Sequence, residues 1–186
     1  MKFENIDKKE QGRFITRYDI TYTMNDGNQK VYEMISRDKD IKSFDELHDR
    51  PADAVVLIMH SEDGERILIN KEFRLAPGEW VYNFPAGLID PGEDYKMAAE
   101  RELREETGLK LIAIDDYIGE SYSAVGFSNE KNVCVVGRCT GEITGSDSAV
   151  EEIEAGWYTR EEVRELLKTA RFAARTQAYC YMWSKE

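Results

Sequence analysis

Cysteine and histidine are scarce in this chain. The three cysteines, Cys134, Cys139 and Cys180, include no CxxC pair, and their odd number leaves at least one thiol unpaired. They read as reduced residues of a cytoplasmic protein, not as a disulfide framework. The two histidines, His48 and His60, have no HExxH or paired-ligand spacing, so neither is assigned a role. Long apolar runs are also missing: nowhere do about eighteen apolar residues follow one another. The opening MKFENIDKKEQGRF lacks the apolar stretch of a signal peptide, and no membrane partner is expected. Positive charge is in deficit. With 25 Lys and Arg against 37 Asp and Glu, the net charge of −12 opposes affinity for nucleic acid driven by charge alone.

What is present suits one domain of 186 residues with a small appendage. Residues 1–12 are polar and carry no period, so they are read as a mobile start. From Phe14, the residues Phe14, Thr16, Tyr18, Ile20, Tyr22 and Met24 alternate with mostly polar neighbours, the period of a half-buried strand. Asn25-Asp26-Gly27-Asn28 is turn chemistry and Val31 to Ser36 the returning strand, which together predict a β-hairpin. A charged connection ending at Pro51 leads to the buried strand Ala54 to Met59. A turn at Ser61 to Gly64 and a second strand, Ile67 to Asn70, follow. Strands are also read at Leu111 to Ile118, Asn132 to Arg138 and Ile153 to Tyr158. Thr159 and Glu162 form a capping box for a helix over 160–169, and a last helical segment ends at Trp183.

The most informative stretch runs from Gly87 to Leu109, GLIDPGEDYKMAAERELREETGL. Asp94 is placed to cap a helix over Tyr95 to Thr107 that stops at Gly108. Ala99, Leu103 and Thr107 share a packing stripe, and Glu102, Glu105 and Glu106 occupy the adjoining arc. Carboxylates spaced i,i+3 and i,i+4 repel by a few tenths of a kcal/mol per pair, roughly. They also lie toward the helix C-terminus, where the macrodipole disfavours them. Arg101 reaches Glu105 at i,i+4, but one cation cannot neutralise three acids. Two readings stand on these residues alone: a solvated acidic face, or ligands for a hard cation such as Mg²⁺ that bridges carboxylates to a substrate phosphate.

Gly87, five residues, Glu93, seven residues, then Arg101, Glu102, Leu103, one residue, Glu105, Glu106, one residue, Gly108 and Leu109 resemble the Nudix box at every defined position. The chain is thereby identified as similar to Nudix hydrolases, which cleave a nucleoside diphosphate linked to another moiety. The resemblance implies an α/β fold, a Nudix-type α/β/α sandwich. Its mixed β-sheet would be preceded by an N-terminal β-hairpin, with residues 1–50 as a dimerisation and specificity element and 51–186 as the hydrolase domain. It implies Mg²⁺, with Mn²⁺ as a substitute, held by Glu102, Glu105, Glu106 and the carbonyl of Ala86. Gly87, Glu93, Arg101 and Gly108 would shape the motif.

The loop containing SYSAVGFSNE resembles a stretch of ADP-ribose pyrophosphatases, with Val125 where that subgroup carries proline. Val125 departs from the subgroup pattern, and it is the Pro-Ala-Gly entry to the box, Arg74, the hairpin and Glu33 with Arg37, in their resemblance to that subgroup, that point to ADP-ribose or a related nucleoside diphosphate sugar as the expected substrate. Arg74, Glu33, Arg37 and Glu130 are candidates to bind it. Glu152 and Glu151, with Glu142 behind them, are candidates for the general base, alongside Glu106 in the catalytic set. The partners implied are a nucleotide-sugar substrate and a second copy of the chain, a homodimer. Clean-up of oxidised nucleoside triphosphates and a non-catalytic ADP-ribose sensor are the competing readings.

Overall fold

The computed structural model describes residues 1–146 and 152–186. The chain divides into two compact units, one of Met1–Asp53 with Glu120–Asn132 and one of Ala54–Gly119 with Val133–Glu186.

In the first unit, β1 (Lys2–Gln11), β2 (Thr16–Thr23) and β3 (Gln29–Ser36) form an antiparallel sheet in that order. The β2–β3 hairpin is present, with Thr16, Tyr18 and Ile20 buried on the face that the alternation selects. Residues 2–11, read as a mobile start, instead form a full strand along β2. Only Ile6 of β1 is buried, so the strand is held by its backbone ladder while its charged side chains face water. Such an edge has no hydrophobic period to detect. The core is Ile6, Tyr18, Ile20, Met34, Ile41 and Leu47. The Tyr18 hydroxyl donates to the Asp38 carbonyl at 2.9 Å and accepts from the Ile41 amide at 3.2 Å, which satisfies the polar tip of a buried ring.

The second unit is built on a mixed seven-stranded sheet. Its strands are β4 (Ala54–His60), β5 (Arg66–Arg74), β6 (Glu79–Asn83), β7 (Ala86–Leu88), β8 (Lys110–Tyr122), β9 (Lys131–Thr140) and β10 (Ile153–Thr159). Its order is β10-β5-β4-β9-β8, with β6 paired to β5 and β7 to β4. The continuous apolar run of β4 has a simple cause, because both of its faces are covered. Val55, Leu57 and Met59 pack in one core with Ala98, Ala99 and Leu103 of helix α1 (Tyr95–Thr107). Val56 and Ile58 pack in the other core with Val163 of α2 (Arg160–Thr169) and with Cys180 and Trp183 of α3 (Ala174–Trp183). One helix on one face and two on the other make the expected α/β/α sandwich. Among the described residues no helix is long and apolar enough to cross a membrane.

Candidate active site

The stretch that carries the acids folds by local rules. The Glu93 amide donates to the Asp90 carbonyl at 3.0 Å, and the Asp90 amide donates back to Glu93 Oε2 at 3.1 Å, closing the turn. The Asp94 carboxylate accepts from the Met97 amide at 2.8 Å, the N-cap bond that starts α1. Gly108, at φ 77°, ends the helix in the left-handed region, where its amide donates to Arg104 O at 2.8 Å.

Arg101 binds the turn to the helix. Its Nε and Nη2 donate to the two oxygens of Glu93, each at 2.8 Å, a bidentate fork. Nη2 also donates to the Leu88 carbonyl at 2.8 Å, and Nη1 donates to Glu102 Oε1 at 2.6 Å. The i,i+4 contact with Glu105 is longer, at 3.4 Å. Glu93, not Glu105, is therefore the main partner of the guanidinium. That pairing, with the Asp90 amide behind it, holds the Glu93 carboxyl far below its usual range, at about 2. The bonds from Arg101 also raise its own affinity for the proton.

The three expected ligands differ in setting. Glu106 is 8% exposed, and its Oε2 accepts from Asn70 Nδ2 of β5 at 2.6 Å. Glu102 has a side chain 13% exposed, and Glu105 one 43% exposed. Gly87 on β7 lies against Glu102 so closely that a Cβ built at position 87 would fall on the carboxylate itself. Here glycine is required by close approach, since its backbone is ordinary strand paired with Val55. Ala86 precedes it, paired with Val56. Among the described residues, no three His, Cys, Asp or Glu side chains are gathered into a ready-made ion cage. The donors are nevertheless all oxygens of carboxylates and a carbonyl, the set that hard divalent cations take, so the residues fit Mg²⁺ or Mn²⁺ in chemistry.

The other candidates fall in several places. Arg74 ends β5 with its side chain 56% exposed, and its Nη1 reaches Glu72 at 3.3 Å. Glu72 also accepts from Asn83 Nδ2 at 2.9 Å. Glu152 is exposed, and its carbonyl accepts from the Phe73 amide at 3.0 Å, which sets it beside the same end of β5. Glu151 lies outside the described residues. Glu33, Arg37 and Glu130 belong to the first unit. Glu33 and Arg37 share no bond: Arg17 Nη2 reaches Glu33 Oε1 at 3.0 Å, and Arg37 Nε donates to Glu130 Oε2. All three thiols are buried, and burial pushes those of Cys139 and Cys180 up to about 12. They are poor nucleophiles at neutral pH.

Asn70 is the residue that sequence reasoning missed. The available signal is an amide following three apolar residues, Ile67, Leu68 and Ile69, within a strand buried on both faces. Its partner lies 36 residues away.

Residues 50–179 match the family profile of the NUDIX domain. An ADP-ribose pyrophosphatase from Saccharomyces cerevisiae is 42% identical over 87 residues, 44% of this chain and 36% of that protein. An NAD-capped RNA hydrolase, NUDT12, from Macaca fascicularis is 26% identical over 164 residues, 82% of this chain and 33% of its own length. The chain thus spans about a third of the length of these curated relatives. A solved structure described as an ADP compounds hydrolase matches with a TM-score of 0.74 at 20% identity, covering 100% of this chain and 93% of that one, which is a likeness of fold.

Proposed function

This chain belongs to the Nudix family, and from that premise we propose that it hydrolyses the diphosphate of ADP-ribose or a related nucleoside diphosphate sugar, releasing a nucleoside monophosphate and a sugar phosphate. The observation that carries the reading is the assembly of the box. A glycine backbone lies against the Glu102 carboxylate, and Glu106 is buried on the same helix with a bonded partner. Isolated surface acids would need neither arrangement.

Glu102, Glu105, Glu106 and the Ala86 carbonyl would hold the divalent cation that the family generally uses. When bound, such an ion neutralises diphosphate oxygens and makes a water more acidic. The chain's own residues do the rest. Arg101 fixes the turn to the helix, so the acids keep their places while charge develops on the substrate. Glu152, or Glu151, takes the proton of the attacking water as the new P–O bond forms and the bridging P–O bond breaks. Arg74, beside Glu152 at the end of β5, would meet a phosphate as a fork of donors. Glu33, Arg37 and Glu130 are assigned to substrate recognition, residues 1–50 to dimerisation and specificity, and the protein to a cytoplasmic homodimer. The recognition and dimer assignments rest on the resemblance to ADP-ribose pyrophosphatases, and the location rests on the reading of the three cysteines as reduced.

The likeness to a protein named an NAD-capped RNA hydrolase favours one second reading, in which the diphosphate joins two nucleosides. Incubation of the purified protein with Mg²⁺ and either ADP-ribose or NAD⁺, with product masses and a chelator control, separates the two. AMP with ribose 5-phosphate, lost on chelation, is the expected result. Cleavage of NAD⁺ alone would move the substrate to dinucleotides, and binding without product would make the protein a sensor.

A further inference from the structure

Along β5, Leu68 and Asn70 share one face by the two-residue repeat of a strand. Leu68 packs there with Ala98, Ala99 and Leu103 of α1. An aliphatic side chain is what this environment calls for at position 70 as well. A carboxamide taken out of water is destabilising unless both its ends find partners. Asn70, 1% exposed, has one end satisfied: Nδ2 donates to Glu106 Oε2 at 2.6 Å, while Oδ1 is buried with no hydrogen-bond partner. The arrangement is therefore poor for the fold and specific for the Glu106 carboxylate.

We infer that Asn70 is a positioning residue: through Nδ2 it fixes the Glu106 carboxylate in one orientation before a divalent cation binds. The inference rests on the reading of Glu106 as a ligand of that cation. A largely buried carboxylate held by a donor from the neighbouring strand cannot rotate without breaking a charge-assisted bond where little water is at hand to replace it. The orientation is thus set by the sheet, not by the cation. A helix residue borrows its rigidity from a central strand.

The test uses Mn²⁺ alone as the probe, on the full chain. Free Mn²⁺ is measured by electron paramagnetic resonance for the wild type, Asn70→Val, Glu106→Gln and the double variant, with Tm recorded in chelator. Asn70→Ala serves the same comparison if valine is not accommodated. Loss of a partner behind a ligand weakens metal binding by about tenfold to a hundredfold. The expected result is a Mn²⁺ Kd raised by that factor in Asn70→Val, with Tm unchanged or higher. In the Glu106→Gln background the valine should weaken binding no further. A lowered Tm with unaltered Kd would make Asn70 structural and overturn the inference. Equal weakening in both backgrounds would show that it acts without Glu106, and would overturn it too. If Glu106→Gln weakens Mn²⁺ binding and Asn70→Val does not, this inference fails while the site reading stands. If Glu106→Gln itself leaves the Kd unchanged, the site reading fails first.

Discussion

Helices α1 and α2 are both rich in acids, and they use them in opposite ways. In α2, Glu161 and Glu162 lie in the first turn, where the positive end of the helix dipole favours them. Glu162 also completes a capping box with Thr159, and the bonds from the Thr159 amide and hydroxyl hold its carboxyl below the usual range. In α1 the first turn carries no acid, and Glu102, Glu105 and Glu106 crowd the disfavoured end. Two of the three are also largely withdrawn from water. The first-turn acids of α2 stabilise their helix; those of α1 oppose theirs and are offset by Arg101, beside Glu102 on the same helix, and by Asn70 of β5. An acid placed against the local physics, with partners assembled to hold it there, marks a site.

Neutralising one acid on each helix tests that contrast most severely. Glu106→Gln should lower turnover on the order of 10² to 10³-fold or more, the scale of removing a group aimed at transition-state charge. Its Tm in chelator should hold or rise, because a repulsion at the unfavourable end of the helix is relieved. Glu161→Gln should leave turnover within error of the wild type. Steady-state rates on ADP-ribose and melting curves decide it, and equal turnover in the two variants would erase the distinction between the helices.

A second contrast lies within the box, between two glycines needed for different reasons. At Gly87 a methyl group would displace the Glu102 carboxylate, so Gly87→Ala should reduce turnover about a hundredfold, as a misplacement of about 1 Å does. At Gly92, φ is 92° and a Cβ would meet nothing within 4 Å. Gly92→Ala should therefore destabilise the fold by about 1–2 kcal/mol, the cost of a left-handed backbone, with turnover largely kept. Comparable losses of turnover at both positions would mean that the turn, and not the Gly87–Glu102 contact, governs the site.

The parts legible in the sequence are those written by near neighbours. The bounds of α1, its Asp94 cap and its Gly108 stop, and the Thr159 box of α2 depend on residues within one turn, and all stand where the sequence puts them. The apolar run of β4 likewise announces a strand covered on both faces. Strand β1 was invisible because its stability comes from ladder bonds that carry no side-chain period. The grip of Arg101 on Glu93 crosses eight positions, beyond the i,i+4 rule that points to Glu105; the resemblance to the box, not local spacing, is what gives Glu93 the role of orienting the loop or Arg101. Asn70 meets Glu106 only because β5 lies beneath α1 in the sheet, a relation fixed by topology. Local rules show which acids are anomalous. They do not show what holds them.

The smallest effect expected is at the α2 cap, and it closes the contrast from the other side. Thr159 accepts from the Glu162 amide at 3.3 Å, and its own amide donates to Glu162 Oε2 at 2.8 Å, so two otherwise orphaned donors of the first turn are satisfied together. Thr159→Ala removes the acceptor and leaves the carboxylate with one partner fewer, a loss of about 1 kcal/mol. In a chain of this size that lowers Tm by about 2–4 °C. Turnover on ADP-ribose and the Mn²⁺ Kd should not change, because α2 packs through Val163 on the face of the sheet opposite α1. A change in either without a larger fall in Tm would connect α2 to the site, and the division between stabilising and functional acids would have to be drawn elsewhere.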